Sequence, residues 1–176
     1  RYISLLDGID TGVDSTANDI TPFRAIMNDM YAKDISKKIK SVKRDKQRRG
    51  LFICGKPVYG YKMHPTEKNR IVIDEEAAPV VRRIFALAIS GMSCRQIAAA
   101  LNSEGVPSPA AYAKLPVSKP GPYSGLWSSE RISAMLQNET YIGNMVQGRM
   151  VRLSYKSNKC LRQAPEDWVV VEGTHE

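Results

Sequence analysis

One run, residues 22–50, constrains this chain more than any other. Thr21 suits a helix N-cap and Pro22 suits the first helical position. From Phe23 the apolar residues fall at 23, 26, 27, 30, 31, 35, 39 and 42, which is helical spacing. Then comes Lys43-Arg44-Asp45-Lys46-Gln47-Arg48-Arg49, and Gly50 offers a natural C-terminal stop. The spacing predicts one helix over 22–49, about 42 Å long. Its first half carries an apolar stripe that needs a protein partner. Its second half has almost nothing to bury and is expected to project as a basic arm.

Charge sharpens that reading. The 176 residues carry a net charge of +8. Residues 1–30 hold net −3, residues 31–70 net +10, and residues 71–176 net +1. Such a block favours a polyanion, either nucleic acid or an anionic membrane face. A solvated basic helix face is the plain alternative. The chain is 43% hydrophobic and 25% charged, which speaks against a wholly disordered polymer. No apolar run approaches the ~20 residues of a membrane span. The opening RYISLLDGID lacks a signal-peptide pattern and starts at Arg1 within a strand-like run, so it reads as a piece of a longer protein. Cys54, Cys94 and Cys160 stand singly. That argues against a complete zinc site in the chain and fits a reducing cytoplasm.

The remaining elements are short. Residues 2–6 read as a buried strand, and Asp7 to Gly12 as turn and loop. Residues 57–63 and 70–73 flank the polar turn His64 to Asn69 as a hairpin. Asp74 is expected to cap a helix with Glu75-Glu76 in its first turn, or that helix starts at Pro79; Gly91 ends it. Ser93 with Gln96 makes a capping box for a helix over 93–104. Residues 106–127, rich in proline, read as a long surface loop. Trp127 and Ile132 form a hydrophobic staple around Ser128, which opens a helix over 128–138. Residues 151–155 and 168–171 are strand-like.

The two capped helices 93–104 and 128–138 are spaced like a helix-turn-helix pair with an oversized connection. The second would present Arg131, Ser133 and Gln137 to base edges, with Glu130 as a discriminator. An ordinary three-helix packing unit with a polar outer face fits the same spacing. Lys37, Lys38, Lys40, Lys43, Arg44, Lys46, Arg48 and Arg49 are the phosphate-contact candidates on the long helix, with Lys56 just beyond it. Asp34 and Asp45 are too few to pair them all. Residues 51–58 have the slimness for a minor groove, or form a plain linker, and Lys114 and Lys119 could add contacts from the loop. Nucleophile candidates are poor: Ser4 and Ser36 have no neighbouring His. The acids Asp7 and Asp10 read as an ordinary loop.

Four stretches, in order, resemble a large serine recombinase, the transposon and phage type that cuts DNA through a phosphoserine. They are Ile3 to Thr11, similar to the last strand of the catalytic domain; Asp34 to Lys40, similar to the linking helix; Gly55 to Tyr61 leading into 71–74 and 81–85; and Gln96 to Asn102 joined to Trp127 and 136–143. The resemblance implies 1–21 as the end of a resolvase-type catalytic domain and 22–50 as the linking helix. It implies 51–148 as the recombinase DNA-binding domain and 149–176 as a strand-containing tail before a zinc ribbon. Zinc would then belong downstream, with no cofactor and no catalytic residue in this chain. Lys37-Lys38 stand where many relatives carry an acidic-basic pair whose arginine assists catalysis. The implied partners are double-stranded DNA at attachment or transposon-end sites and further copies of the protein, as a dimer and a tetrameric synapse, with no membrane. The expected fold class is α+β, mostly helical, with a long N-terminal helix, a helix-turn-helix-like domain and small antiparallel strands. A winged-helix transcription regulator without recombinase activity and an RNA-binding module are the competing readings.

Overall fold

The computed structural model describes residues 3–4, 9–10, 12, 16–113 and 125–176. The fold is α+β, with five α-helices and small two-stranded antiparallel sheets among the described residues. Its contacts divide the chain into two units, Arg1–Lys46 with Gly148–Trp168, and Gln47–Gln147 with Val169–Glu176.

In the first unit, β1 (Ile3–Ser4) pairs antiparallel with β2 (Ile9–Asp10). Of the strand expected over 2–6, Ile3–Ser4 is described and Ile3 is 55% exposed; residues 2, 5 and 6 lie outside the described residues. Its partner falls at 9–10, where turn and loop were expected, because a return strand satisfies the ladder bonds of β1 locally. The helix expected over 22–49 is α1 (Thr16–Arg48). It begins earlier than expected and runs through Pro22, so the Thr21-Pro22 signal does not mark its start. Gly50 ends it as expected, with φ +68° and its N–H donating to Gln47 O at 2.9 Å. The stripe of Phe23, Ile26, Met27, Met30, Tyr31 and Ile35 is exposed, Phe23 to 71%. The same unit holds the hairpin of β6 (Met150–Arg152) and β7 (Cys160–Arg162), an excursion between two strands of the other unit.

The second unit is built on three helices, α2 (Ala78–Ile89), α3 (Cys94–Ser103) and α5 (Ser129–Leu136). Their apolar faces meet in one cluster of Val81, Ile84, Ile97, Ala98, Leu101, Trp127, Ile132 and Met135. Ile84, Ile97, Leu101 and Ile132 are fully buried, each worth about 1.5–3 kcal/mol of transfer free energy. The capping box forms as expected: Ser93 Oγ accepts from Gln96 N–H, and Gln96 Oε1 accepts from Ser93 N–H at 2.9 Å. Arg83 on α2 forks onto both carboxylate oxygens of Glu104 at the end of α3.

Two expectations are corrected here. Asp74 does not cap a helix with its side chain; α2 starts at Ala78, and residues 75–77 form a turn. The Asp74 carboxylate is occupied elsewhere, accepting from the Tyr112 hydroxyl at 2.8 Å. Tyr112 belongs to α4 (Pro109–Tyr112), capped by Ser108, so the stretch read as plain loop contains a helical turn. On the far side, Asn102 clasps the Trp127 backbone: Nδ2 donates to Trp127 O at 3.0 Å, and Trp127 N–H donates to Oδ1 at 2.8 Å. The indole N–H donates to Val106 O at 3.0 Å.

The hairpin of β3 (Tyr61–Met63) and β4 (Ile71–Ile73) pairs Tyr61 with Ile73 and Met63 with Ile71. Gly60, at φ +95°, lets it lie close to α2, since a Cβ there would meet Val81 Cγ2 at 2.8 Å. β5 (Met145–Gln147) pairs antiparallel with β8 (Val169–Val171). The last residues return to this unit as well, with the Tyr61 hydroxyl donating to Glu176 O at 2.8 Å.

Candidate nucleic-acid interface

The basic half of α1 is solvent-facing. Lys37, Lys38, Lys40, Lys43, Arg44, Arg48 and Arg49 are exposed and Lys46 is half-buried. Lys38 pairs with Asp34 at 2.8 Å, one helical turn back, and that hydrogen bond holds its ammonium above its ordinary value. Among the described residues no ion pair engages Lys37, Lys40, Lys43, Arg44, Lys46 or Arg48. An exposed pair such as Asp34–Lys38 stabilises by little, so the helix keeps a strong positive field. Lys37 to Lys46 belong to the first unit, and Arg48 and Arg49 to the second.

The segment after α1 is only partly a slim arm. Phe52 is buried with Ile71 and Met145, and its carbonyl accepts from Asn69 Nδ2 at 2.8 Å. Leu51 O accepts from Gln147 Nε2 at 2.8 Å. The exposed part is Cys54 to Lys56, because Phe52 anchors the chain just before it. Lys56 then lines a groove of about 630 Å³ between β3, α4 and α5. Tyr59, Tyr61, Lys62, Asp74, Tyr112 and Arg131 also line it. Tyr112 donates to Asp74 and also lies 3.2 Å from Glu76, so two carboxylates hold its phenol well above the ordinary range. Burial, foremost, pushes up the Tyr59 phenol too. Tyr59 packs edge-on against both Tyr112 and Trp127.

The three base-reading candidates separate. Arg131 is exposed on the groove wall with Lys56. Ser133 and Gln137 face each other at the other end of α5, with Gln137 Nε2 donating to Ser133 Oγ at 3.3 Å. Gln137 is the C-cap residue rather than a member of the helix, since α5 ends at Leu136. Lys114 and Lys119 lie outside the described residues.

A family model described as Recombinase matches residues 75–176, more than half of the chain. The chain belongs to the Recombinase family. Its function is accordingly recombinase-related, in a family whose general partner is DNA, and the match is consistent with the C-terminal region of a serine recombinase. No curated protein and no solved structure matches it significantly. The recombinase match covers α2 to α5 and β5 to β8, and so leaves out α1 with its basic run.

The charge count over 1–30, 31–70 and 71–176 masks one feature inside the matched part. Residues 148–163 hold Arg149, Arg152, Lys156, Lys159 and Arg162 and no acid. The ten acidic residues elsewhere in 71–176 hide this in the regional sum; a shorter window reveals it. Among the described residues no group of three or more His, Cys, Asp or Glu converges on a common point. No helix among them is long and apolar enough to cross a membrane.

Proposed function

We propose that this chain is the DNA-binding portion of a site-specific serine recombinase, gripping duplex attachment-site or transposon-end DNA during integration and excision. The observation that carries the reading is the exposed, largely uncompensated row of cations on α1, in a chain whose helical unit belongs to the Recombinase family. Phosphates that neutralise such a row release condensed counterions, which makes binding strong and salt-dependent. Lys37, Lys38, Lys40, Lys43, Arg44, Lys46, Arg48, Arg49 and Lys56 act on the backbone. Arg131 approaches base edges from the groove wall, with Ser133 and Gln137 at the end of the same helix. The apolar stripe on the first half of α1 serves contact with a second copy. None of the chain's residues takes the nucleophile's role, so it binds DNA without cutting it.

The test is a salt series of anisotropy titrations with duplex DNA, structured RNA as competitor, and an Arg48→Ala/Arg49→Ala variant. Duplex should be preferred over RNA. The variant should weaken binding to every duplex about equally and reduce the slope of log affinity against log salt by roughly 1 per lost contact. Preference for RNA, or a slope unchanged in the variant, overturns the reading.

A further inference from the structure

The β6–β7 hairpin has a sidedness that its composition does not show. Its register sets Met150 opposite Arg162, Val151 opposite Leu161, and Arg152 opposite Cys160. Opposed residues share a face and successive residues alternate. Arg152 and Arg162 therefore stand on one face, and Val151 with Leu161 on the other. All four side chains are exposed, as is Lys159 at the start of the returning chain.

The five cations of the excursion are not alike. Lys156 is engaged: its Nζ lies 2.6 Å from Asp29 Oδ1 on α1, and the Tyr155 hydroxyl donates to the same oxygen at 2.8 Å. Arg149 lies over the Trp168 ring, 4.9 Å from its centroid. Among the described residues Arg152 donates only to a neutral amide, Asn158 Oδ1, at 3.1 Å. Lys159 and Arg162 have no carboxylate partner among the described residues, and Glu166 and Asp167, just beyond, make no ion pair with the hairpin. Like charges on one sheet face repel, and a polyanion relieves that repulsion. The Tyr155–Lys156 seat on Asp29 ties the tip of the hairpin to the α1 helix, within one unit.

We propose that the β6–β7 hairpin is a second duplex-DNA-binding element, contacting the phosphate backbone through Arg152, Lys159 and Arg162. A two-stranded ribbon has the width that the major groove admits, and Arg152 and Arg162 on one face, with Lys159 on the other, complement the phosphates on the groove's edges. Tyr155 and Lys156 act as positioning residues that hold the ribbon beside α1. This rests on the DNA reading above, and it assigns the contact to residues distinct from those on α1 and α5.

The test uses the whole chain and three variants: Arg152→Gln/Lys159→Gln/Arg162→Gln, the charge-keeping Arg152→Lys/Lys159→Arg/Arg162→Lys, and Arg48→Ala/Arg49→Ala. Titrations with specific and random duplexes across a salt series read the slope. The glutamine variant should reduce it by about 2–3, on both duplexes, while the charge-keeping variant retains it. Circular dichroism checks that the helical unit is intact, and the charge-keeping variant controls for the hairpin's own fold. A glutamine variant with the wild-type slope, alongside a weakened Arg48→Ala/Arg49→Ala protein, overturns the hairpin proposal and leaves the DNA reading standing. Loss of affinity by both the glutamine and the charge-keeping variants also overturns it, since charge would not then be the cause. So does a loss confined to structured RNA. Failure of the wild-type chain to bind duplex overturns both readings together.

Discussion

Asn102→Ala probes how the two capped helices are held together. Asn102 sits on α3 and bonds both backbone groups of Trp127, one residue before the N-cap of α5, at 3.0 and 2.8 Å. Trp127 itself is only 3% exposed and sits in the main core. Each hydrogen bond contributes about 0.5–1.5 kcal/mol net, and an orphaned buried partner costs about 1–3 kcal/mol. Two partly buried groups lose their partner at once, so the expected destabilisation is about 2–3 kcal/mol. With a urea dependence of about 2 kcal/mol per molar, the unfolding midpoint falls by about 1 M. Far-UV circular dichroism across a urea gradient measures it. Asn102→Asp should recover little, because the second carboxylate oxygen would face the Trp127 carbonyl. A midpoint within about 0.2 M of wild type for Asn102→Ala refutes the clasp as the feature that couples α3 to α5.

Gln137→Ala should cost about 1–3 kcal/mol at the cognate duplex and little on random DNA if its amide reads a base; equal losses on both would mark a phosphate contact, and none would leave it scaffold. The exposed stripe on α1 should drive self-association at high concentration, and Met27→Glu/Met30→Glu should shift sedimentation to monomer; a wild-type chain that stays monomeric refutes the pairing role. Hydrogen bonds from Lys156 and then Tyr155 hold the Asp29 carboxylate below its ordinary value of 3.8. The seat is therefore fully present at neutral pH and is lost as pH falls below 3.8 toward the depressed value. Asp29→Asn should open the hairpin to proteolysis within 153–159 already at neutral pH, and an unchanged cleavage rate counts against the seat. Incubation with cognate DNA should give no covalent protein–DNA product, and a phosphoserine adduct would overturn the binding-only reading.

The local signals read from the sequence survive where one short segment decides its own conformation. The Ser93–Gln96 capping box, the Ser128 cap, the stop at Gly50 and the 61–73 hairpin each depend on residues a few positions apart. The basic run on α1 was legible for the same reason, since charge density is a property of composition. What the sequence could not decide rests on distant partners. Asp74 is a sound N-cap residue in isolation, but Tyr112 takes its carboxylate from 38 positions away. Residues 51–53 have no periodic signature, but contacts with Asn69, Ile71, Met145 and Gln147 pack them down. The placement of Arg152 and Arg162 on one face of the 150–162 hairpin, opposite Val151 and Leu161, follows from a register that only strand pairing fixes. The sequence alone located the cation excess, net +10 over residues 31–70. The tertiary structure decided which cations are left without a partner, because the seat of Lys156 on Asp29 and of Arg149 on Trp168 depends on distances that the order of residues does not carry.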